Sequence, residues 1–299
     1  MEALVTGGAG FIGSHLANAL LAKGGVTILD DLSSGSKANV PKKAEFIKAS
    51  VLDEAALAKA AMGGAATVFH LGGMVGVPMS VREPQRCADV NVKGTVNVLE
   101  ACRKADCRVV FASSASVYGD NPKTPYRETD LPAPVSPYAV SKLAGEGLLA
   151  FYAKEYGLKC VSLRLFNVYG PGQKISSGYA AVVPAFINAA RASDDLRVNG
   201  DGSQTRDFIY VDDVVQAFLL SAEKGSGAYN IGSGKPTSVK HLAGKIIELT
   251  QTKSRITRAP KRAGDVRDSL ADVSKARREL GFEPAYSLAD GLSRVIGNG

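Results

Sequence analysis

The sequence predicts an α/β protein: a doubly wound parallel sheet with helices on both faces, followed by a smaller C-terminal α/β lobe. Three observations predict it. The first half alternates short β-branched or apolar runs with longer amphipathic ones, the pattern of parallel strands joined by helical crossovers. A glycine-rich turn directly follows the first apolar run and opens a helix. The second half is less regular and richer in turns, which suits a lobe over the carboxyl ends of the strands, where such sheets bind ligands.

Taken in order, residues 2–6 read as a strand, 14–23 as a helix and 26–30 as a second strand. Further strands are expected at 67–71, 108–113 and 159–166, with helical runs at 85–104 and 137–156 between them. No internal repeat, low-complexity tract or linker interrupts the chain.

Composition narrows the classes. The chain has 299 residues, 45% of them apolar, enough for one large core plus a lobe. No apolar run approaches the ~20 residues of a membrane span, and the first residues lack a basic leader, so a cytoplasmic protein with no membrane partner is expected. Cys87, Cys102, Cys107 and Cys160 form no CxxC pair and the three histidines are scattered; free thiols are expected and a metal site is not. The net charge is +7, with lysines and arginines dispersed to about Lys253 and thicker through Arg278. A small phosphorylated ligand accounts for such a balance. No zinc-finger or RNP-type pattern points to nucleic acid.

The glycine turn reads Thr6-Gly7-Gly8-Ala9-Gly10-Phe11-Ile12-Gly13. Glycines there let the backbone turn tightly and approach a pyrophosphate, and the helix N-terminus supplies N–H groups and partial positive charge. Asp30 ends the next strand, 17 residues after Gly13. A carboxylate at that place accepts the two adenosine ribose hydroxyls and repels a 2′-phosphate, so NAD is favoured over NADP. Read without that context, Asp30 and Asp31 are ordinary loop acids.

The spacing Gly7, Gly10, Gly13 is GxxGxxG. With TGGAGFIG followed by LDDLSSG, the chain resembles the extended short-chain dehydrogenases, and among them the nucleotide-sugar epimerase and dehydratase group, over nearly its whole length. The resemblance implies a Rossmann-type sheet. Residues 1–166 then form the NAD-binding domain, to which 207–225 returns, while 167–206 and 226–299 form the substrate lobe. It also implies NAD contacts from Gly7, Gly10, Phe11, Ile12, Gly13, Asp30, Asp31, Ser33, Ser34 and Gly35. Ser50 and Val51 follow in the segment where the family usually carries Gly-Asp for the adenine and this chain has Ala49-Ser50. His70-Leu71-Gly72-Gly73 resembles the family's H-[LF]-A-[AG] segment on the nicotinamide-ribose side, and Asn91 matches an asparagine near the cofactor.

Tyr138-Ala139-Val140-Ser141-Lys142 opens the helical run at 137–156. Tyrosine and lysine at i and i+4 share one helix face. A free phenol titrates near ~10; an adjacent ammonium favours the phenolate and makes it a usable base. The pair matches the family's catalytic residues. Ser113, Ser114 and Ser116 end a strand and read on their own as turn hydroxyls. By resemblance, Ser114 is the serine that hydrogen-bonds the reacting sugar hydroxyl. At the next two positions related dehydratases carry Asp-Glu, and decarboxylases carry a glutamate at the second. This chain has Ala115 and Ser116, which removes elimination chemistry and leaves oxidation followed by re-reduction.

In the second half, Arg164-Leu165-Phe166-Asn167 resembles the family's R-[YL]-F-N, with Asn167 on the diphosphate. Gly200-Asp201-Gly202-Ser203-Gln204-Thr205-Arg206-Asp207-Phe208 resembles GDGxQxRDF, with Arg206 on phosphate. Arg262-Ala263-Gly264-Asp265 resembles R-x-G-D, with Arg262 on phosphate and Asp265 on a ribose hydroxyl. An arginine fork suits a diphosphate through paired hydrogen bonds. Asp207 and Asp213 are read as structural. Four residues past Asp265 stands Ser269, at a family position that gates the sugar pocket.

The resemblance as a whole implies an NAD-dependent 4-epimerase of a UDP-sugar, of the glucose and galactose forms or their N-acetylated forms. UDP-glucuronate or a net oxidoreductase is the alternative. A homodimer is implied, built on the helices at 85–104 and 137–156 through Val98, Leu99, Leu148 and Tyr152. The sequence does not separate that use of these four side chains from packing against the sheet.

Overall fold

The computed structural model describes residues 2–173, 181–260 and 266–297. Seven parallel strands form its main sheet: β1 (Ala3–Thr6), β2 (Val26–Leu29), β3 (Glu45–Ile47), β4 (Thr67–His70), β5 (Arg108–Ser114), β6 (Cys160–Leu165) and, after three strands of the lobe, β10 (Gly227–Ile231). Their spatial order is β10-β6-β5-β4-β1-β2-β3. The order reverses at β1 and β4, and the crevice beyond their carboxyl ends is where such sheets bind a dinucleotide. The central strands have both faces covered: every residue of β1, β4 and β6 is buried, as expected for parallel strands between two helical layers.

Helices α1 (Phe11–Leu21) and, from the second half of the chain, α8 (Val211–Glu223) cover one face. There Leu16, Leu20, Val214 and Phe218 join Val5, Ile28, Phe69 and Val161 in one core. On the other face lie α2 (Glu54–Met62), α5 (Gly94–Ala105) and α6 (Pro137–Tyr156), which bury Leu57, Val98, Leu99 and Leu149 against Leu4, Val68 and Val109.

The long helix α6 matches its expected span. Ser136 caps it by accepting from Ala139 N (3.2 Å), Pro137 opens it, and Gly157 ends it at φ +68°. The run expected at 85–104 is more segmented: α4 (Pro84–Ala88) leads through a π-helical stretch at residues 89–93 into α5.

The lobe grows from the carboxyl ends of β6 and β10. β7 (Asn167–Tyr169), β9 (Thr205–Tyr210), β11 (Pro236–Ser238) and β13 (Asp268–Ser269) form a second sheet, and β8 (Leu196–Asn199) pairs with β12 (Ile256–Ala259). Helices α7 (Val182–Arg191), α9 (Val239–Thr250) and α11 (Leu288–Gly297) pack on these strands through Phe186, Ile187, Leu242, Ile246 and Leu292.

Two parts of the expected division differ. Residues 227–231, expected in the lobe, are the seventh strand of the main sheet, in register with 161–165 of β6. Ala276 and Leu280 of α10 (Ser274–Leu280), with Phe282, pack under that sheet as well. The reason is burial: Tyr229 and Ile231 share one face of the strand, are 1% and 0% exposed, and join the core under the large sheet.

Candidate active site

The crevice is built first by the glycine turn. Gly7 adopts φ +72°, and a Cβ there would stand 2.7 Å from Gly72 N. A Cβ on Gly13 would stand 2.2 Å from Gly7 O. Both positions exclude any side chain. Gly10 enters α1 with no side-chain cap, and no acid sits in the first turn of the helix. That helix end offers N–H groups and positive potential without a competing carboxylate, so these residues fit a pyrophosphate. Phe11 and Ile12 begin the helix. Phe11 packs toward the lobe, within 3.3 Å of where a Cβ on Gly170 would stand, and Ile12 packs on the main core.

Asp30 follows β2 and is 8% exposed. Its Oδ2 accepts from Ala9 N (2.9 Å) inside the glycine turn, and its Oδ1 accepts from Leu32 N (2.8 Å). Burial raises its carboxyl above the ordinary value, and the two backbone hydrogen bonds oppose the rise. Asp31 is exposed and accepts from Ser33 N (2.8 Å). Residues 33–39 fold back on the turn: Ser36 N and Asn39 Nδ2 both donate to Ala9 O, and a Cβ on Gly35 would stand 2.8 Å from that same oxygen. Ser34 lies within this stretch. Ser50 accepts from Leu52 N (3.2 Å), while Val51 packs between the backbones of Gly72 and Gly94 and accepts from Asn97 Nδ2 through its carbonyl (3.1 Å).

The residues expected to react are carried by β5 and α6. Lys142 is 5% exposed, and its Nζ donates to Ala112 O (2.8 Å), two residues before Ser114. That bond ties α6, which carries Tyr138 in its first turn, to the end of β5, which carries Ser114. Nζ is 5.8 Å from the centroid of the Tyr138 ring and 4.8 Å from that of Phe111. Burial lowers the Lys142 ammonium to about 8, which leaves it mostly charged at neutral pH. Ser114 Oγ accepts from Ser116 N (3.1 Å) at the start of a short 3-10 turn; its O–H proton is not used in that bond.

Next to Lys142, Ser141 Oγ accepts from Asn91 Nδ2 (2.9 Å). Asn91 also clamps the turn after β4: its Oδ1 accepts from Met74 N (2.7 Å) and its Nδ2 donates to Met74 O (3.0 Å). Leu71 N donates to Thr6 O (3.1 Å), which ties this turn to the glycine turn. Gly73 faces both partners: a Cβ there would stand 2.9 Å from Asn91 Oδ1 and 3.8 Å from Lys142 Nζ.

The lobe brings part of the expected substrate set together. Asn167 Nδ2 donates to Asp207 O (3.2 Å), and Ser269 pairs with Arg206 across β13 and β9. Arg206 Nη1 donates to Thr205 O (2.8 Å) and Arg267 O (3.1 Å). Arg262 and Asp265 lie outside the described residues. Asp207 and Asp213 tether loops: Asp207 accepts from Ser233 N, Gly234 N and Ala271 N, and Asp213 accepts from Ala285 N and Tyr286 N. Among the described residues no group of three acids, histidines or cysteines is placed to hold a metal ion.

Sequence reasoning missed a buried network beneath this edge. Glu146, one turn past Lys142 on α6, accepts from Arg164 Nη2 (2.7 Å) and from Ser113 Oγ (2.5 Å). Arg164 Nη1 also donates to Tyr118 Oη (2.9 Å), whose O–H donates to Asn230 Oδ1 (2.6 Å). The signal was available: Tyr138, Lys142 and Glu146 repeat at i, i+4 and i+8 on one helix face.

A parallel sheet with this crevice, a glycine turn, a buried acid after β2, and a Tyr/Lys pair on the helix tied to a serine-ended strand define a dinucleotide-dependent enzyme of the short-chain dehydrogenase type. A model of the NAD-dependent epimerase/dehydratase family matches residues 3–232, and the chain belongs to that family. It is 41% identical to a UDP-glucose 4-epimerase of Mycolicibacterium smegmatis, over 99% of this chain and 97% of that one. Among solved structures it is similar to a UDP-glucose 4-epimerase from Thermotoga maritima with UDP-glucose, at TM-score 0.96 and 41% identity, covering 99% of this chain and 98% of that one. It is also similar to a UDP-N-acetylglucosamine 4-epimerase from Methanobrevibacter ruminantium in complex with UDP-N-acetylmuramic acid, at TM-score 0.96 and 37% identity, covering 99% and 97%.

Proposed function

We propose that the protein interconverts the 4-epimers of a UDP-sugar, with NAD bound in the crevice. The observation that supports this reading is the Lys142–Ala112 bond, which ties the helix carrying Tyr138 to the strand ending at Ser114, where Ala115 and Ser116 offer no acid or base for elimination. NAD, which the glycine turn and Asp30 would hold, would supply a hydride acceptor at C4 of the sugar and a donor back to the opposite face of that carbon. Tyr138 removes the proton of the 4-hydroxyl and later restores it. Lys142 favours the phenolate by its charge, and Ser114 donates its O–H to the oxygen that changes between hydroxyl and ketone. Arg206 and Asn167, with Arg262 and Asp265, hold the nucleotide diphosphate and ribose. Purified protein supplied with UDP-glucose is expected to form UDP-galactose; absence of interconversion with any UDP-sugar would overturn the reading.

Asp30 supports NAD over NADP. Asp30→Ala is expected to weaken NAD binding and to narrow its advantage over NADP. The substitution also strips an acceptor from two backbone N–H groups, at about 1–3 kcal/mol for each left unsatisfied. The ratio of the two affinities, measured by titration, is therefore the decisive quantity; an unchanged ratio would remove Asp30 from the discrimination.

Ser269 supports a broad sugar pocket, since it stands beside Arg206 without an aromatic ring's bulk. UDP-N-acetylglucosamine is expected as a substrate alongside UDP-glucose. Ser269→Tyr is expected to remove the N-acetyl activity selectively, by steric exclusion. Equal activity on both sugars in the variant would refute the gate.

A homodimer remains part of the proposal, but through different side chains. Of the four side chains expected there, Val98, Leu99 and Tyr152 are 1%, 0% and 7% exposed and serve the core, and Leu148 is partly buried against the same core. The outer face of α6 instead presents Val140 and Phe151, each about half exposed. Light scattering at micromolar concentration is expected to give twice the chain mass, and Phe151→Glu to give the chain mass; a wild-type monomer would contradict this. A cytoplasmic setting agrees with four cysteines that are free and buried, and cell fractionation checks it. No described helix is long and apolar enough to cross a membrane.

A further inference from the structure

His70 ends β4, is 1% exposed, and has no part in the chemistry above. Both ring nitrogens are engaged. Nδ1 lies 2.8 Å from Thr6 Oγ1, and Nε2 lies 3.0 Å from Thr95 Oγ1. What those hydroxyls do next fixes the direction of each bond. Thr95 Oγ1 donates its single proton to Asn91 O (2.6 Å), so toward His70 it accepts, and Nε2 carries the ring proton. Nδ1 then accepts from the Thr6 hydroxyl, and Thr6 Oγ1 accepts from Gly72 N (3.1 Å). Burial, with the charge of Lys142 second, pushes the imidazole down to about 3, so the ring stays neutral and the tautomer holds. The ring packs on Phe111 (centroids 5.5 Å apart), and Phe111 also carries Lys142 Nζ.

The two ends of this chain of bonds meet in one place. Gly72 N–H begins the Gly72–Met74 turn, and Asn91 holds its other end at Met74. Asn91 rides in the π-helical stretch, a wide turn of the kind that redirects a side chain, and Thr95 takes up its carbonyl. From there Asn91 reaches Ser141, the neighbour of Lys142.

We propose that His70 is a positioning residue: through Thr6 to Gly72 and through Thr95 to Asn91, it sets the Gly72–Met74 turn against Lys142. Its consequence for catalysis rests on the epimerase reading, in which this turn lies on the nicotinamide side; the relay itself does not depend on that reading.

Three substitutions separate the halves. An asparagine amide lies near the Nδ1 position and a glutamine amide near the Nε2 position. His70→Asn keeps the acceptor for Thr6, His70→Gln keeps the donor to Thr95, and His70→Phe keeps the ring packing alone. Amide hydrogen exchange of the apoprotein reads the turn directly. Gly72 is expected to exchange at least about tenfold faster in the Phe and Gln variants and near the wild-type rate in the Asn variant. Met74 is expected to exchange faster in the Phe and Asn variants and not in the Gln variant. In the NAD-loaded enzyme, His70→Phe is expected to lower kcat by on the order of tenfold to a hundredfold, the effect of an ångström-scale misplacement, with KM for the UDP-sugar within about twofold because the lobe is untouched. If His70→Phe does not fold, Thr95→Val and Thr95→Ser replace it: loss of Met74 protection in the first and retention in the second supports the relay. Loss of protection spread evenly over the main sheet, or unchanged Gly72 and Met74 exchange in all variants, overturns it. Should wild-type protein turn over no UDP-sugar, the exchange pattern still decides the relay, so the two claims fail separately.

Discussion

Tyr138→Phe is expected to lower kcat by about 10²–10⁴-fold, the usual contribution of a positioned acid–base group, while UDP-sugar affinity stays within a few-fold of wild type. The hydroxyl is the only atom removed, and the ring keeps its place over the first turn of α6. Arg206 and Asn167 belong to the lobe and feel no change. Steady-state kinetics on UDP-glucose, with substrate affinity from titration calorimetry, makes the comparison. Turnover at the wild-type rate would take Tyr138 out of the mechanism, and a matched loss of affinity would reassign it to binding.

The largest stability effect is expected at Arg164. Its side chain and that of Glu146 are 6% and 9% exposed and joined at 2.7 Å. Arg164→Met leaves the Glu146 carboxylate buried with the Ser113 hydroxyl as donor but without its countercharge. Removing one partner of such a pair costs about 3–5 kcal/mol, whereas replacing both with apolar groups is far milder. Urea unfolding of Arg164→Met, Glu146→Leu and the double variant checks this: the double variant is expected to recover most of the loss. Equal, additive losses would mean that the two residues act independently.

The parts of the fold that were legible in the sequence are those whose signals are local. The helix at Pro137–Tyr156 carries its own cap, its own N-terminal proline and its own terminating glycine. The glycine turn is one stretch of eight residues, Thr6 to Gly13, and Asp30, the acid expected beside it, accepts from Ala9 N within it. The parts that were not legible depend on contacts distant in sequence. β3 has three residues with none fully buried, too few to show a period. β10 reads as an isolated GAYNI between glycine-rich turns, and its place beside β6 is settled by packing with residues 66 positions earlier, as the register Gly227↔Val161 to Ile231↔Leu165 shows. Val98, Leu99 and Tyr152 have the spacing of a helix face, but spacing does not say whether that face meets a sheet or a second subunit; burial does.

The site shows the same division. Tyr138, Lys142 and Ser114 were legible as types in a known spacing. The bond that ties their two elements together, Lys142 to Ala112, joins a helix to a strand 30 residues earlier. The Thr6–His70–Thr95–Asn91 relay runs from β1 through β4 to α5 and the π-helical stretch before it, elements far apart in sequence.

The central claim is that this edge of the crevice oxidises and re-reduces one carbon of a UDP-sugar with no net consumption of NAD. The most direct measurement is to incubate purified, NAD-loaded protein with UDP-glucose, following both sugars by chromatography and reduced cofactor at 340 nm. The account predicts that UDP-galactose rises to a fixed ratio with UDP-glucose, reached equally from either side, while reduced cofactor never exceeds the enzyme concentration. Reduced cofactor that keeps accumulating in proportion to substrate consumed, with no second sugar formed, would contradict it.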